Sequence, residues 1–198
     1  MKGGTGAMRT EHIEDTMFDA QRTQGTGLEA NEYTRCTFVG CDLKSSDLKG
    51  KVFVECTFRS CDLSLAGVSR TSWQGVRFEH CKLLGLRFDQ CHTFLLELAF
   101  ESCILDLASF HGLKLKNTVF GNCRLRETDL SGADLSGASF AGCDLGAAVF
   151  DRTLLDGADL RSAQHYSIDP AKNKIRKARF SKDGLEGLLH QSGIIISD

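Results

Sequence analysis

The sequence predicts an all-β fold in which the chain winds into a square coil, five residues to a side. Three observations predict it. A bulky residue recurs at every fifth position along most of the 198 residues. The residue two before it is usually small, and glycine recurs two after it, in a chain with 20 glycines and one proline. Two apolar positions in five, spaced by two, fit neither the 3.6-residue helical period nor the simple alternation of a strand. They fit a chain that turns after each fifth residue, with the bulky centre and the small minus-two residue inside and the other three outside. Such a repeat has to be read before any other signal, because it decides the whole fold.

Residues 1–25 show no stable period and are expected to form an irregular N-terminal arm. The repeat is expected over 26–162. Its centres run from Leu28 through Tyr33, Phe38, Leu43, Leu48, Phe53, Phe58, Leu63, Val68, Trp73, Phe78 and Leu83 to Phe88. They resume at Phe100 and continue through Leu105, Phe110, Leu115, Phe120, Leu125, Leu130, Leu135, Phe140, Leu145, Phe150 and Leu155 to Leu160. Four sides make a coil of twenty residues, so twenty-seven fives give about seven coils, stacked about 4.8 Å apart by backbone hydrogen bonds. Residues twenty apart should then stack and be alike. Phe38, Phe58 and Phe78 obey this, as do Leu43, Leu63 and Leu83, and later Leu105, Leu125 and Leu145. Between Phe88 and Phe100 the register slips. Reading CHTFLLELAF as one side with two extra residues, a bulge near 89–99, joins the ladders without a domain boundary. Lys51 holds a minus-two slot, where burying a charge is costly, so the wall is expected to flare there or the side chain to turn outward. Glycines at plus-two, such as Gly112 and Gly132, suit tight corners.

All nine cysteines, Cys36, Cys41, Cys56, Cys61, Cys81, Cys91, Cys103, Cys123 and Cys143, occupy the minus-two slot. They read as small apolar fillers with low reactivity. No CxxC occurs. His80 and His92 flank inward cysteines but point outward, so they cannot converge on one metal ion with them. There is no Gly-rich phosphate loop, GxSxG or HExxH, so neither catalysis nor a cofactor nor a metal is expected. The formal net charge of −2 does not favour a general nucleic-acid or membrane-surface binder. No apolar run is long enough to span a bilayer and no signal-peptide core is seen, so a cytoplasmic protein is expected.

Residues 163–198 are expected to form a C-terminal capping and dimerisation module. SKDGLEGLLHQSG reads as a short helix capped by Ser181 or Asp183 and ended by Gly193, and IIIS as a strand. Leu185, Leu188, Leu189, Ile194, Ile195 and Ile196 are too few to form their own core. They are expected to cover the open end of the coil, pair with a second copy, or both.

The A(D/N)LXX pattern over about residues 26–162 resembles the pentapeptide-repeat family, whose folds are right-handed quadrilateral β-helices. CDLSLAGVSRTSWQGVRFEHCKLLGLRF, the CHTFLLELAFESCILDLASFHGLKL region and IDPAKNKIRKARF with its LL…GIIIS tail are similar to the bacterial subgroup containing the Qnr quinolone-resistance and the albicidin- and microcin-resistance proteins. That resemblance implies a protein that binds DNA gyrase or a related type II topoisomerase and protects it from inhibitors. It also implies a homodimer joined through the C-terminal module and a rod similar in shape to DNA. A scaffold or adaptor role in another pathway is the alternative. No direct contact with nucleic acid or membrane is expected. Asp42, Asp62, Asp129, Asp134, Asp144 and Asp159, all at the outward minus-one position, are the candidate partner-binding face. Overall charge argues against mimicry. A rod of about 33 Å would need about nineteen negative charges to match duplex DNA, whereas residues 28–162 carry 18 acids against 15 lysines and arginines.

Overall fold

The computed structural model describes residues 12–23, 28–192 and Ile194. The chain forms a four-sided parallel β-solenoid. One side is a four-stranded ladder, His12–Glu14, Glu32–Thr34, Val52–Val54 and Ser72–Gln74. The next is a six-stranded ladder, Met17–Asp19, Thr37–Val39, Thr57–Arg59, Val76–Glu79, Leu98–Glu101 and Val119–Gly121. The remaining contacts between coils are single parallel bridges at minus-one positions, such as Asp42↔Asp62 and Lys114↔Asp134. We number the faces in chain order: face 1 holds Tyr33, face 2 Phe38, face 3 Leu43 and face 4 Leu48.

The centres and minus-two residues form one continuous core. Face 2 stacks Phe18, Phe38, Phe58, Phe78, Phe100, Phe120 and Phe140, with centroids 4.4–5.5 Å apart and nearly parallel planes. Tyr33, Phe53 and Trp73 stack on face 1 and meet this column edge-on. Both geometries suit the quadrupole of an aromatic ring. The nine plus-two glycines, from Gly40 to Gly157, all have positive φ, and Leu65, Arg70, Leu107 and other non-glycine corner residues adopt the same left-handed conformation.

The coil is longer at both ends than the sequence expectation. Along face 2 the pairings Met17↔Thr37, Thr37↔Thr57, Thr57↔Arg77, Arg77↔Ala99, Ala99↔Val119, Val119↔Ser139, Ser139↔Asp159 and Asp159↔Arg179 make eight steps. Residues 12–19, assigned to an irregular arm, are therefore the first two sides. Ile13 and Phe18 lie one coil below Tyr33 and Phe38. Their period was hidden because a short helical turn, Ala20–Thr23, stands where the third side would follow. At the other end the ladders run past 162 to Lys174 and Arg179. Ala163, Ile168 and Asn173 fill minus-two slots, and Ile175 and Phe180 pack on the core. The repeat was illegible there because Tyr166 rather than residue 165 turns inward, and because a polar Asn173 takes an inner slot.

The two extra residues lie on face 1. Ser72↔His92 keeps a spacing of twenty, whereas Val76↔Leu98 shifts to twenty-two, which persists in Lys82↔Ile104 and Arg87↔Ser109. The Glu97 amide donates to the Trp73 carbonyl at 3.0 Å and the Glu97 carbonyl accepts from Val76 at 3.0 Å, so the bulge stays tied to the coil below. At Lys51 the wall does not flare. Val52 donates to Asn31 and Ser72 to the Lys51 carbonyl, both at 2.8 Å. The lysine stem lies partly buried and its Nζ donates to the Ala30 carbonyl at 2.8 Å, with burial lowering its pKa against the opposing charge of Asp47. A long apolar stem with a charge at its tip permits this compromise.

Candidate functional site: the outer surface of the coil

All nine cysteines are interior and buried. Their thiols have a structural task. Cys56 donates to the Tyr33 carbonyl at 3.3 Å, Cys61 to Phe38 at 3.4 Å, Cys81 to Phe58 at 3.3 Å and Cys143 to Phe120 at 3.2 Å. Each acceptor lies twenty-three residues back: one coil down and one side earlier. Thr71, Thr128 and Thr153 use the same geometry toward Leu48, Leu105 and Leu130 at 2.8–3.0 Å. The minus-two slot therefore favours a small side chain that can donate. Burial pushes the Cys56 and Cys91 thiols up to about 12, which lowers their thiolate fraction and reactivity. His80 is exposed at a corner beside inward Cys81, and His92 is exposed beside buried Cys91.

The six candidate aspartates do not share one face. Asp42, Asp62 and Asp144 lie on the face 3 ladder, Asp129 on face 4, Asp134 on face 1 and Asp159 on face 2. Each accepts the amide two residues ahead: Lys44, Ser64, Ser131, Ser136, Gly146 and Arg161, at 2.9–3.2 Å. This is the local bond that short acidic side chains offer a turn, so aspartate at minus-one serves the corner. Several are also neutralised by neighbours. Asp134 meets Lys116, Asp144 meets Arg126 and His165, and Asp159 meets Arg161. The Arg161 guanidinium pulls Asp159 down to about 2. Burial raises Asp144, but His165 and Arg126 outweigh it and leave a net lowering. Arg35 with Glu14 and Asp15, Arg59–Glu79, Arg87–Asp89 and Arg124–Asp106 continue the mixture of signs around the coil. Among the described residues no face is a continuous acidic strip.

The bulge carries what sequence reasoning missed. Phe94 and Leu95 are 65% and 61% exposed, and Leu95 and Leu96 border a shallow groove with Val54, Gly75, Glu55 and Glu97. The signal was available, since a seven-residue side must expel two residues that have no inner slot. Leu65, at a face 3–face 4 corner, is also exposed and lies across Gly85, whose Cβ position would meet its side chain at 2.8 Å.

The C-terminal segment crosses the last coil. Its helix spans Glu186–Leu189 and continues as a 3-10 turn over His190–Ser192. Neither proposed cap caps it. Ser181 Oγ accepts from the Gly184 amide at 3.1 Å, in the turn before the helix. Gly187 sits so close to Tyr166 that a Cβ would overlap its ring, and its carbonyl accepts from Ile168 at 2.9 Å. Leu188 packs on the core, while Leu185, Leu189 and Ile194 remain exposed. Gly193, Ile195, Ile196 and the rest of the expected strand lie outside the described residues. The helix and the last coil enclose an open groove of about 750 Å³, bordered by Tyr166, His165, Glu186 and His190.

The geometry defines a rod whose interior is filled and whose exterior is available for contact. The family description "Pentapeptide repeats (8 copies)" matches residues 36–72 and "Pentapeptide repeat region" matches residues 71–150. The chain belongs to the pentapeptide-repeat family. Among solved structures it is similar to three forms of QnrB1, described as a plasmid-mediated fluoroquinolone resistance protein. Two trypsin-treated variants of QnrB1 align at 19% and 21% identity with TM-scores of 0.63 and 0.61, each covering 94% of this chain and 97% of that one. Full-length QnrB1 aligns at 16% identity with a TM-score of 0.51, covering 92% and 97%. No curated protein matches this sequence.

Proposed function

We propose that this chain is a non-enzymatic, cytoplasmic protein that binds DNA gyrase or a related type II topoisomerase and modulates its inhibition by antibiotics. The observation that carries the reading is the end-to-end likeness to the QnrB1 solenoid, over 94% of this chain. The exposed Phe94 of the bulge supports it, because aromatic side chains are enriched in protein interfaces. The active form is proposed to be a homodimer, with Leu185, Leu189 and Ile194 offering apolar surface to a second copy. Paired charges on every face favour specific protein contact over imitation of DNA charge.

The test is a supercoiling and cleavage assay of purified gyrase with and without a fluoroquinolone or albicidin, at micromolar protein. Relief of inhibition, or a direct effect on supercoiling, is expected, and Phe94→Asp with Leu95→Asp should abolish it without unfolding the coil. Absence of any effect on supercoiling, cleavage or drug inhibition rejects the topoisomerase reading. Light scattering at high concentration tests the dimer, which a monomer would exclude. The mixed-sign surface is also what an adaptor of another pathway would present, and that reading gains if topoisomerase is untouched while the Phe94 step still binds a partner.

A further inference from the structure

The last coil carries the densest run of cations in the sequence. Residues 172–182, KNKIRKARFSK, contain six cations and no acid. The register explains how they are displayed. Asn173, at minus-two, is buried, while Ile175 and Phe180 are partly buried against the core, so Lys174, Arg176, Lys177 and Arg179 all lie outside. Lys174 and Arg176 flank the face 1 centre, Lys177 is the corner residue, with φ 60, and Arg179 opens face 2. All four are exposed, as are Lys172 and Lys182.

Elsewhere the arginines are mostly held in ion pairs, as at Arg35, Arg59, Arg87, Arg124, Arg126, Arg152 and Arg161. In this belt only Lys172 reaches a carboxylate among the described residues, Asp169 at 3.6 Å. The coil beneath offsets it only in part, the charge of Arg179 helping to lower the Asp159 pKa. Leu154 lies under Lys174, and Asp159 under Arg179 is already engaged by Arg161. Asp156 spends one oxygen on the Arg176 amide at 2.8 Å.

We propose that this basic belt binds the phosphate backbone of duplex DNA, without sequence preference, as an activity beyond topoisomerase binding. Two features favour phosphate over a protein surface. Lysine is depleted from protein interfaces and rich in contacts to phosphate, and four of the six cations are lysines. The apolar members of the segment are also turned toward the core, so the belt has no exposed aromatic anchor of the kind protein hot spots use. The whole-chain charge of −2 conceals the belt because the other coils carry the compensating acids.

The test is fluorescence anisotropy of a labelled 30-base-pair duplex with the full chain from 25 to 200 mM NaCl. Weak binding is expected at low salt, falling by a slope of about −4 to −5 in log K against log salt for five phosphate contacts. The variant Lys174→Glu/Arg176→Glu/Lys177→Glu should lose at least about tenfold at low salt and flatten the slope by about three times 0.9. A control of equal charge change, Lys44→Glu/Lys49→Glu/Lys82→Glu, should stay within about twofold, since a local belt and not net charge is the cause. No wild-type binding at 25 mM salt, equal losses in the two variants, or tighter binding of an Asp/Glu-rich peptide than of the duplex would each overturn the proposal. Circular dichroism melts of both variants confirm that the coil is intact. The readout uses no topoisomerase, so the two proposals can fail separately.

Discussion

The coils before and after the two-residue bulge share a frame but differ in how they fill it. Before it, faces 1 and 2 carry aromatic centres side by side, from Tyr33 and Phe38 to Trp73 and Phe78, and the sides are three- or four-residue strands. After it, face 1 turns to Leu115, Leu135 and Leu155, the minus-two slots to Ala133, Ala138, Ala148 and Ala158, and beyond the strands Leu98–Glu101 and Val119–Gly121 the contacts become single bridges. The corners differ as well. In the later coils the amides of Ala133, Ala138, Ala148 and Ala158 donate to the carbonyls of Leu130, Leu135, Leu145 and Leu155 at 3.0–3.2 Å. On face 2 the carbonyls of Phe38, Phe58, Phe78 and Phe120, three of them within strand ladders, accept in addition from the thiols of Cys61, Cys81, Cys103 and Cys143, at 3.2–3.4 Å. Alanine suffices where the turn's own amide serves the carbonyl, and cysteine adds a thiol donor, as Cys91 does at the Val68 carbonyl that also accepts from the Thr71 amide.

The largest test strikes the aromatic columns. Phe58 contacts stacked rings above and below and two more edge-on. Phe58→Ala should cost about 3–5 kcal/mol, and Leu135→Ala about 2–4 kcal/mol, because the smaller side chain leaves a smaller cavity. Solenoid coils couple chiefly to their neighbours. Hydrogen exchange should therefore show the loss in amides near residues 37–78 for the first variant and near 115–155 for the second. Uniform acceleration along the rod in both cases would mean that the two regions unfold as one unit.

The next test separates the two kinds of corner. Cys81→Ala withdraws the thiol that donates to the Phe58 carbonyl, which keeps its place in the strand ladder, and empties the volume of the sulfur, so it should cost about 1–2 kcal/mol. Thr128→Val should cost less, about 1 kcal/mol, because the Leu105 carbonyl also accepts from the Ala108 amide at 3.0 Å. Urea midpoints measure both. An equal or reversed order would show that the sulfur contributes little, by volume or by hydrogen bond. At the corners themselves, Gly112→Ala meets nothing within 4 Å, but φ is +68. Its cost of about 1–2 kcal/mol, read from a thermal melt, isolates backbone strain from packing.

Much of this frame was legible in the sequence because the period of five forces inner and outer letters apart. The columns of Phe38 and Leu43, the slots of all nine cysteines and the glycine corners follow from spacing alone. What escaped has physical reasons. At the N-terminus only Ile13 and Phe18 mark the period, too few centres to establish one. At the C-terminus Asn173 occupies an inner slot by donating to the Phe150 and Asp169 carbonyls at 3.2 and 3.0 Å, which no hydrophobic pattern reveals. The candidate aspartates were visible as letters, but their dispersal over four faces appears only once the twenty-residue circumference is wound. The exposed Phe94 is the reverse case, a bulky residue that composition assigns to the core and the bulge expels.

The smallest effect concerns Lys51, the one charged residue among the described inner letters of the early coils. Lys51→Thr should stabilise by about 1 kcal/mol, because threonine in this slot can donate to the carbonyl twenty-three residues back and buries no charge. Thr71, one coil up, already does so toward Leu48 at 2.8 Å. The pH dependence fixes the cause. Burial lowers the folded pKa of Lys51 below its usual 10.5, so below that folded value the charged form is disfavoured in the coil. As pH rises through the folded pKa toward 10.5, the unfolded chain holds the extra proton and the wild type recovers stability relative to the variant. The difference in urea midpoint between variant and wild type should therefore shrink across that window. A difference that stays constant with pH would place the gain in packing or in the threonine hydrogen bond rather than in relief of a buried charge.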